Sequence, residues 1–245
     1  MRRIHLAALL LLLSSGARAA DITVYSPGIV NRPLTKLAQA WTVQTGNKVT
    51  FAGFNVGRIR TAVGSDAPGD VVIAPVADFA DFAPKLTPGS QRALGRVPFA
   101  MVVKAGGPHP DISSHEKFVA VVKQAGVLGY ADPKVGSLTG AMVEDMLKRP
   151  EFAGVERRPV KGLIGDAIAR GDAPFGGGAI TEELTVEGAE VVGPFPDDLG
   201  LHVDVSAAVL KVSTNPSDAE AFLRYITRPE AQTVWKAGGI IETPK

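Results

Sequence analysis

The chain contains no cysteine, which excludes disulfides, thiolate nucleophiles, thiolate metal ligands and a lipid-anchoring thiol together. Aromatic residues are sparse at 6%, and no block of like charge occurs. A nearly neutral chain without a Lys/Arg cluster is a poor partner for nucleic acid or an anionic lipid surface. The P-loop, the G-x-S-x-G elbow, H-E-x-x-H and a strand-linked G-x-G-x-x-G are all missing, so the commonest nucleotide, esterase and zinc-protease chemistries have no foothold. Beyond the leader the histidines, His109, His115 and His202, are scattered without metal-ligand spacing, so neither a metal nor a cofactor is expected. No apolar stretch after residue 20 is long enough to enter a bilayer.

What the chain does have begins with its first twenty residues. Met1-Arg2-Arg3 is a basic start, Leu6 to Leu13 an apolar run and Ala17-Arg18-Ala19 a small-x-small cleavage site, the layout of a secretory signal peptide. Cleavage near Ala19/Ala20 predicts a periplasmic protein of roughly 225 residues, enough for two lobes with their own cores. Removing Arg2, Arg3 and Arg18 with the leader turns the formal charge of +1 into −2.

Abundant Ala, Gly and Val suit close helix–sheet packing. Ile22 to Tyr25 reads as a strand; Leu34, Leu37, Ala38 and Trp41 recur at helical spacing, and Gly46 stops that helix. Lys48 to Ala52 is a second strand, Ile59 and Val63 mark a short helix, and Val71 to Ala74 is a strand buried on both faces. Strands are also predicted at Pro98–Lys104, Val127–Tyr130, Pro174–Ile180 and Glu190–Gly193, with helices through Phe118–Gln124 and Met142–Leu147. Near the end, Ser217 and Glu220 have capping-box spacing, and Pro229 stands where a first helical residue would. Strands alternating with helices predict an α/β fold whose ligand binds beyond the carboxyl ends of strands.

Small polar residues collect at those ends. Ser26 follows the first strand, Asn55 lies between Gly53 and Gly57, and Ser137-Leu138-Thr139-Gly140 precedes a helix. A hydroxyl beside the positive end of a helix suits an anion, although each of these residues equally serves as a turn residue or helix cap. Arg58 and Arg60 either clamp a carboxylate or are solvated charges on a surface helix.

The ordered set Ile22-Thr23-Val24-Tyr25-Ser26, Gly46 to Phe51, Pro68-Gly69-Asp70-Val71-Val72-Ile73, Ala131-Asp132-Pro133-Lys134, Ala169 to Ala173, Asn215 to Leu223 and Pro229-Glu230-Ala231-Gln232 resembles the type II periplasmic solute-binding proteins of ABC importers. Within these it is most similar to the molybdate-binding group, and the resemblance covers nearly all of the chain after the leader. It implies a two-lobed fold, mixed sheets flanked by helices, with two crossover strands as a hinge. Residues 1–20 would be the signal peptide, 21–98 and 204–245 the first lobe, and 99–203 the second. The implied partners are a small anion held in the cleft and a membrane permease; the implied state is a monomer.

Carried over residue by residue, the family's first-strand serine is Ser26. Its paired serines fall at Phe54 and Asn55, its small-residue loop at Ser137 to Thr139, and its oxyanion-donating tyrosine at about Gly178. Asn55, Thr181 or backbone N–H groups would then have to replace the lost donors. The resemblance implies a molybdate- or tungstate-type oxyanion, not an enzyme; a small organic acid gripped by Arg58 or Arg60 is the alternative. An unprotonated dianion needs donors on every side and no carboxylate, because each buried hydrogen bond to a charged group contributes about 1.5–3 kcal/mol. A secreted hydrolase using Ser26 or Ser137 would need a histidine beside that serine.

Overall fold

The computed structural model describes residues 20–243, so the signal peptide expected at residues 1–20 (Ala20 apart) and residues 244–245 lie outside the described part. β1 (Asp21–Pro27) runs straight into α1 (Gly28–Thr45). The expected periodic residues Leu34, Leu37, Ala38 and Trp41 are all buried, and Gly46 ends the helix with a φ of 78° that a side chain would resist. β2 (Lys48–Phe54), α2 (Val56–Gly64) and β3 (Val71–Pro75) follow, and every residue of β3 is buried. After the short α3 (Phe79–Phe82) comes β4 (Arg92–Lys104), which starts six residues before the expected Pro98.

The middle of the chain comprises α4 (His115–Ala125), β5 (Val127–Ala131), α5 (Leu138–Met146), β6 (Glu156–Val160), α6 (Ile164–Arg170), β7 (Gly176–Ala179), α7 (Ile180–Glu183) and β8 (Ala189–Pro194). β9 (His202–Val209), α8 (Pro216–Thr227) and α9 (Ala231–Ala237) complete it. The capping box expected at Ser217 and Glu220 does not form. Pro216 occupies the first helical turn, which makes Asn215 the cap residue and leaves Ser217 inside the helix; no side chain bonds the free amides. Nor does Pro229 open α9: it lies in the preceding turn, and its carbonyl accepts from Gln232.

The strands are ordered β2-β1-β3-β9-β4-β7-β5-β6, with β8 also on β4. Pairing is parallel at both ends, where β1 joins β2 and β3 and β5 joins β6 and β7, and antiparallel in the middle. β4 changes partner partway along: Arg92 to Pro98 pairs with β9, whereas Phe99 to Val102 pairs with β7. The sheet thus has two halves joined through one strand, and the chain returns to the first half through Leu201, whose carbonyl accepts from Phe99. α1 and α8 cover the first half through Trp41, whose ring lies 5.9 Å from Phe222 and 5.1 Å from Tyr225. Phe118, Phe152 and Phe195 form the corresponding aromatic contact in the second half.

Asp70 ties the first half together. Its carboxylate accepts from the Thr23 amide at 2.8 Å and the Ser213 hydroxyl at 2.6 Å, while its own carbonyl accepts from Leu210. It is 4% exposed, so its charge depends on those donors in place of water. Asp70→Ala should therefore lower stability by about 2–4 kcal/mol in chemical denaturation, because two hydrogen bonds to a buried charge are lost.

Candidate functional site

Three helices begin where strands end, and their first turns face one another. α1 starts at Gly28 after β1, α2 at Val56 after β2, and α5 at Leu138 after the turn that follows β5. Gly28, Ile29, Val56, Leu138 and Thr139 all line one small cavity of about 90 Å³ between the two halves of the sheet. The amides of a first helical turn have no intrahelical acceptor, and the helix dipole adds partial positive charge there. These helix ends bring partial positive charge to a cavity whose lining, among the described residues, includes Glu182 but no lysine, arginine or histidine.

The caps hold this geometry. The Asn55 side-chain oxygen accepts from the Gly57 amide at 2.8 Å, and its amide nitrogen donates to the Gly136 carbonyl at 2.8 Å. One side chain thus caps α2 and reaches across to the segment that leads into α5. Gly136 has φ 86°, and a Cβ there would lie 2.6 Å from Asn55 Nδ2, so the contact needs a glycine on both counts. Ser137 caps α5 by accepting from Gly140 at 3.0 Å and lies 3.2 Å from the Thr139 hydroxyl. Gly140 is also required: a Cβ would lie 1.8 Å from the Ala131 carbonyl, so α5 could not approach β5 so closely.

A second cavity of about 180 Å³ shares Ser137, Thr139 and Glu182 with the first and adds Asp132, Gly178 and Glu183. α7 is only one turn long, and its two glutamates follow the glycine-rich β7 directly. A Cβ on Gly28 would lie 3.3 Å from Glu182 Oε1, and one on Gly178 would lie 3.2 Å from Glu183 Oε1. The two glycines thus leave the room that the carboxyl groups occupy. Glu183 accepts from the Gly165 amide at 2.8 Å. Burial pushes the Glu182 carboxyl up to about 6. Burial, opposed by the Gly165 hydrogen bond and reinforced by Glu182 and Asp166, pushes Glu183 up to about 7.

Of the residues expected from the sequence, Asn55, Ser137, Thr139 and Gly178 line these cavities. Ser26 is fully buried behind them and donates its hydroxyl proton to Asn31 Oδ1 at 2.6 Å. Thr181 is buried beside the two glutamates in sequence, its hydroxyl without a partner, and lines neither cavity. Arg58 is exposed on α2 and lines neither, while Arg60 is bound to Asp78 at 2.7 and 2.9 Å. His109 pairs with Glu190 and His115 with Asp198, and among the described residues no histidine lines either cavity beside Ser137. Sequence reasoning did not anticipate Glu182 and Glu183. Their position directly after a strand of small residues is the signal for them.

Two roomier recesses differ in kind. One of about 470 Å³, between Pro110–Ser113 and Val192–Asp197, belongs to one half of the sheet alone. Another of about 310 Å³ is lined by Arg60, His202 and Asp204, whose charges are already engaged: Arg60 by Asp78, Asp204 by Arg96 at 2.7 and 2.9 Å.

The raised carboxyls carry a stability consequence. A glutamate whose folded pKa lies above its ordinary value holds its proton more tightly in the folded state. Its contribution is therefore present below the unfolded pKa and lost as the pH rises through the folded one. Between pH 5 and pH 8 the wild type should lose stability as Glu183 ionises. Glu183→Gln should raise the melting temperature at pH 8 by about 5–10 °C and change it little at pH 5, as scanning calorimetry would read.

Comparison with known proteins places this geometry. Residues 22–241 match the family model described as bacterial extracellular solute-binding protein. Among characterised relatives, an aconitate isomerase from Pseudomonas sp is 28% identical over 247 residues, covering 96% of this chain and 94% of the relative. The molybdate-binding protein ModA of Rhodobacter capsulatus is 25% identical over 243 residues, covering 96% and 93%. The solved periplasmic molybdate-binding protein of Azotobacter vinelandii superimposes with a TM-score of 0.69 at 18% identity, over 91% of this chain and all of that one. The fold is that of the type II periplasmic binding proteins, and the chain belongs to the bacterial extracellular solute-binding protein family.

Proposed function

We propose that this protein is a periplasmic receptor that captures a small organic acid anion in the cleft between two lobes, 21–98 with 204–245 and 99–203. The ligand would be handed to the permease of an ABC importer. The observation that carries this reading is the convergence of three helix N-termini on a cavity that also holds the Glu182 carboxyl. Peptide dipoles and the Ser137 and Thr139 hydroxyls supply donors for carboxylate oxygens. Lone carboxyl groups in the same space disfavour a fully ionised tetrahedral oxyanion, which must meet donors on every side. The relative named aconitate isomerase, by name acting on a tricarboxylate, supports the same ligand class. Cavities of about 90 and 180 Å³ limit the ligand to a small anion. β4, which exchanges partners between Pro98 and Phe99, would serve as the hinge, and Asn55 donating to the Gly136 carbonyl would hold the lobes closed.

A second reading rests on the same carboxyls. Groups whose pKa lies near neutrality are suited to move a proton to or from carbon, as an isomerase acting on a bound polycarboxylate would require. Incubation with cis- or trans-aconitate in D2O, followed by proton NMR, would reveal it as isomerisation or deuterium uptake.

A thermal-shift panel on residues 21–245 tests the primary reading. Citrate, trans-aconitate, tartrate, malonate, molybdate, tungstate, sulfate and phosphate would be supplied in large excess. A ligand at a thousand times its dissociation constant stabilises by about 4 kcal/mol, on the order of 10 °C here. The expected result is a shift with di- or tricarboxylates. A shift with molybdate and tungstate alone would assign the cleft to those oxyanions instead.

A further inference from the structure

The Glu182 carboxyl has an unusual environment for a group beside an anion site. It lines both cavities, and among the described residues it makes no hydrogen bond and no ion pair. Its Oε1 sits over Gly28, the first residue of α1, at one of the three positive helix ends. The titratable groups that line these cavities with it are acidic: Glu183 on its own turn of helix and Asp132 across the second cavity, with Asp166 on α6 acting on Glu183. Glu183 is 2% exposed and uses only one carboxyl oxygen, on Gly165. Among the described residues no lysine, arginine or histidine lines either cavity to offset these charges.

An anion held by those helix ends therefore comes close to a carboxyl group in a partly enclosed space. Two negative oxygens there repel, and burial strengthens the repulsion. A single proton between them replaces it with a short charge-assisted hydrogen bond. We propose that the cleft takes up its anion together with one proton, held between a ligand oxygen and Glu182. The site thereby favours anions that can share a proton, carboxylates among them, over an anion such as sulfate that resists protonation. Burial of Glu182, which already holds its pKa near 6, favours this sharing from the protein side. The inference rests on the capture of a carboxylate proposed above and adds the protonation state in which that ligand is bound.

The experiment is titration calorimetry of the full mature chain with trans-aconitate, in two buffers of different ionisation heat, at pH 6, 7 and 8. At pH 8 the tricarboxylate is fully ionised in solution, so a shared proton has to come from the buffer. The expected result is an uptake of about one proton per ligand at pH 8, with affinity weakening about tenfold between pH 7 and pH 8. Glu182→Gln, whose amide can donate to the ligand without titrating, should bind with no proton uptake and with a flat affinity over that range. Glu183→Gln should keep the coupling. Tight binding by the wild type at pH 8 without proton uptake would overturn the proposal and leave carboxylate capture standing. So would loss of binding by a Glu182→Gln protein whose circular dichroism matches the wild type, or molybdate binding equally well at pH 6 and pH 8. If no carboxylate binds at any pH while the protein is folded, the capture reading fails and takes this one with it.

Discussion

Peptide dipoles pointing at one small volume are the constraint on which the cleft depends. Each of α1, α2 and α5 begins within a residue or a short turn of a strand end, so the sheet fixes where their free amides point. The two halves of the sheet are joined through β4, which brings the α1 and α2 ends of one half against the α5 end of the other. Side chains refine this arrangement. Asn55 and Ser137 each satisfy one first-turn amide, and Asn55 then spans to Gly136. The other first-turn amides have no intrahelical acceptor, so partial positive charge remains at these helix ends.

Against that field stand two carboxyl groups with no cationic partner. Their presence is possible because Gly28 and Gly178 leave space and because the helix ends lower the cost of negative charge nearby. A glycine at 178, where the molybdate-binding resemblance would place a tyrosine donor, gives the Glu183 carboxyl its room. The chemistry of the cleft thus differs from a pure set of donors. First turns of three helices and the Glu182 carboxyl share one small volume.

Much of the frame was legible in the sequence. α1 and β3 were readable because their buried positions follow a simple pattern: Leu34 to Trp41 repeats at helical spacing, and Val71 to Ala74 is apolar throughout. Asn55, Ser137 and Thr139 were legible as strand-to-helix residues, the positions from which side chains cap helices. Other parts were hidden for physical reasons. β6 has the polar sequence Glu-Arg-Arg-Pro-Val at the sheet edge, with no apolar run to mark it. β9 is broken by Asp204, acceptable there because Arg96, directly opposite in the ladder, grips it with two hydrogen bonds. The false capping box at Ser217 shows that spacing alone does not fix a helix start when a neighbouring proline competes for the first turn. Glu182 and Glu183 escaped because charged residues are read as solvent-facing by default, and only the tertiary fold reveals that this turn of helix is turned inward.

The most direct measurement of the account is the titration of the Glu182 side-chain carboxyl by carbon-13 NMR, in the free protein and with trans-aconitate. The account expects a midpoint near 6 without ligand and a clear rise when ligand is added, because the two share a proton. A midpoint in the ordinary carboxylate range, unmoved by a ligand that binds, would contradict it: Glu182 would then be a solvated charge outside the site.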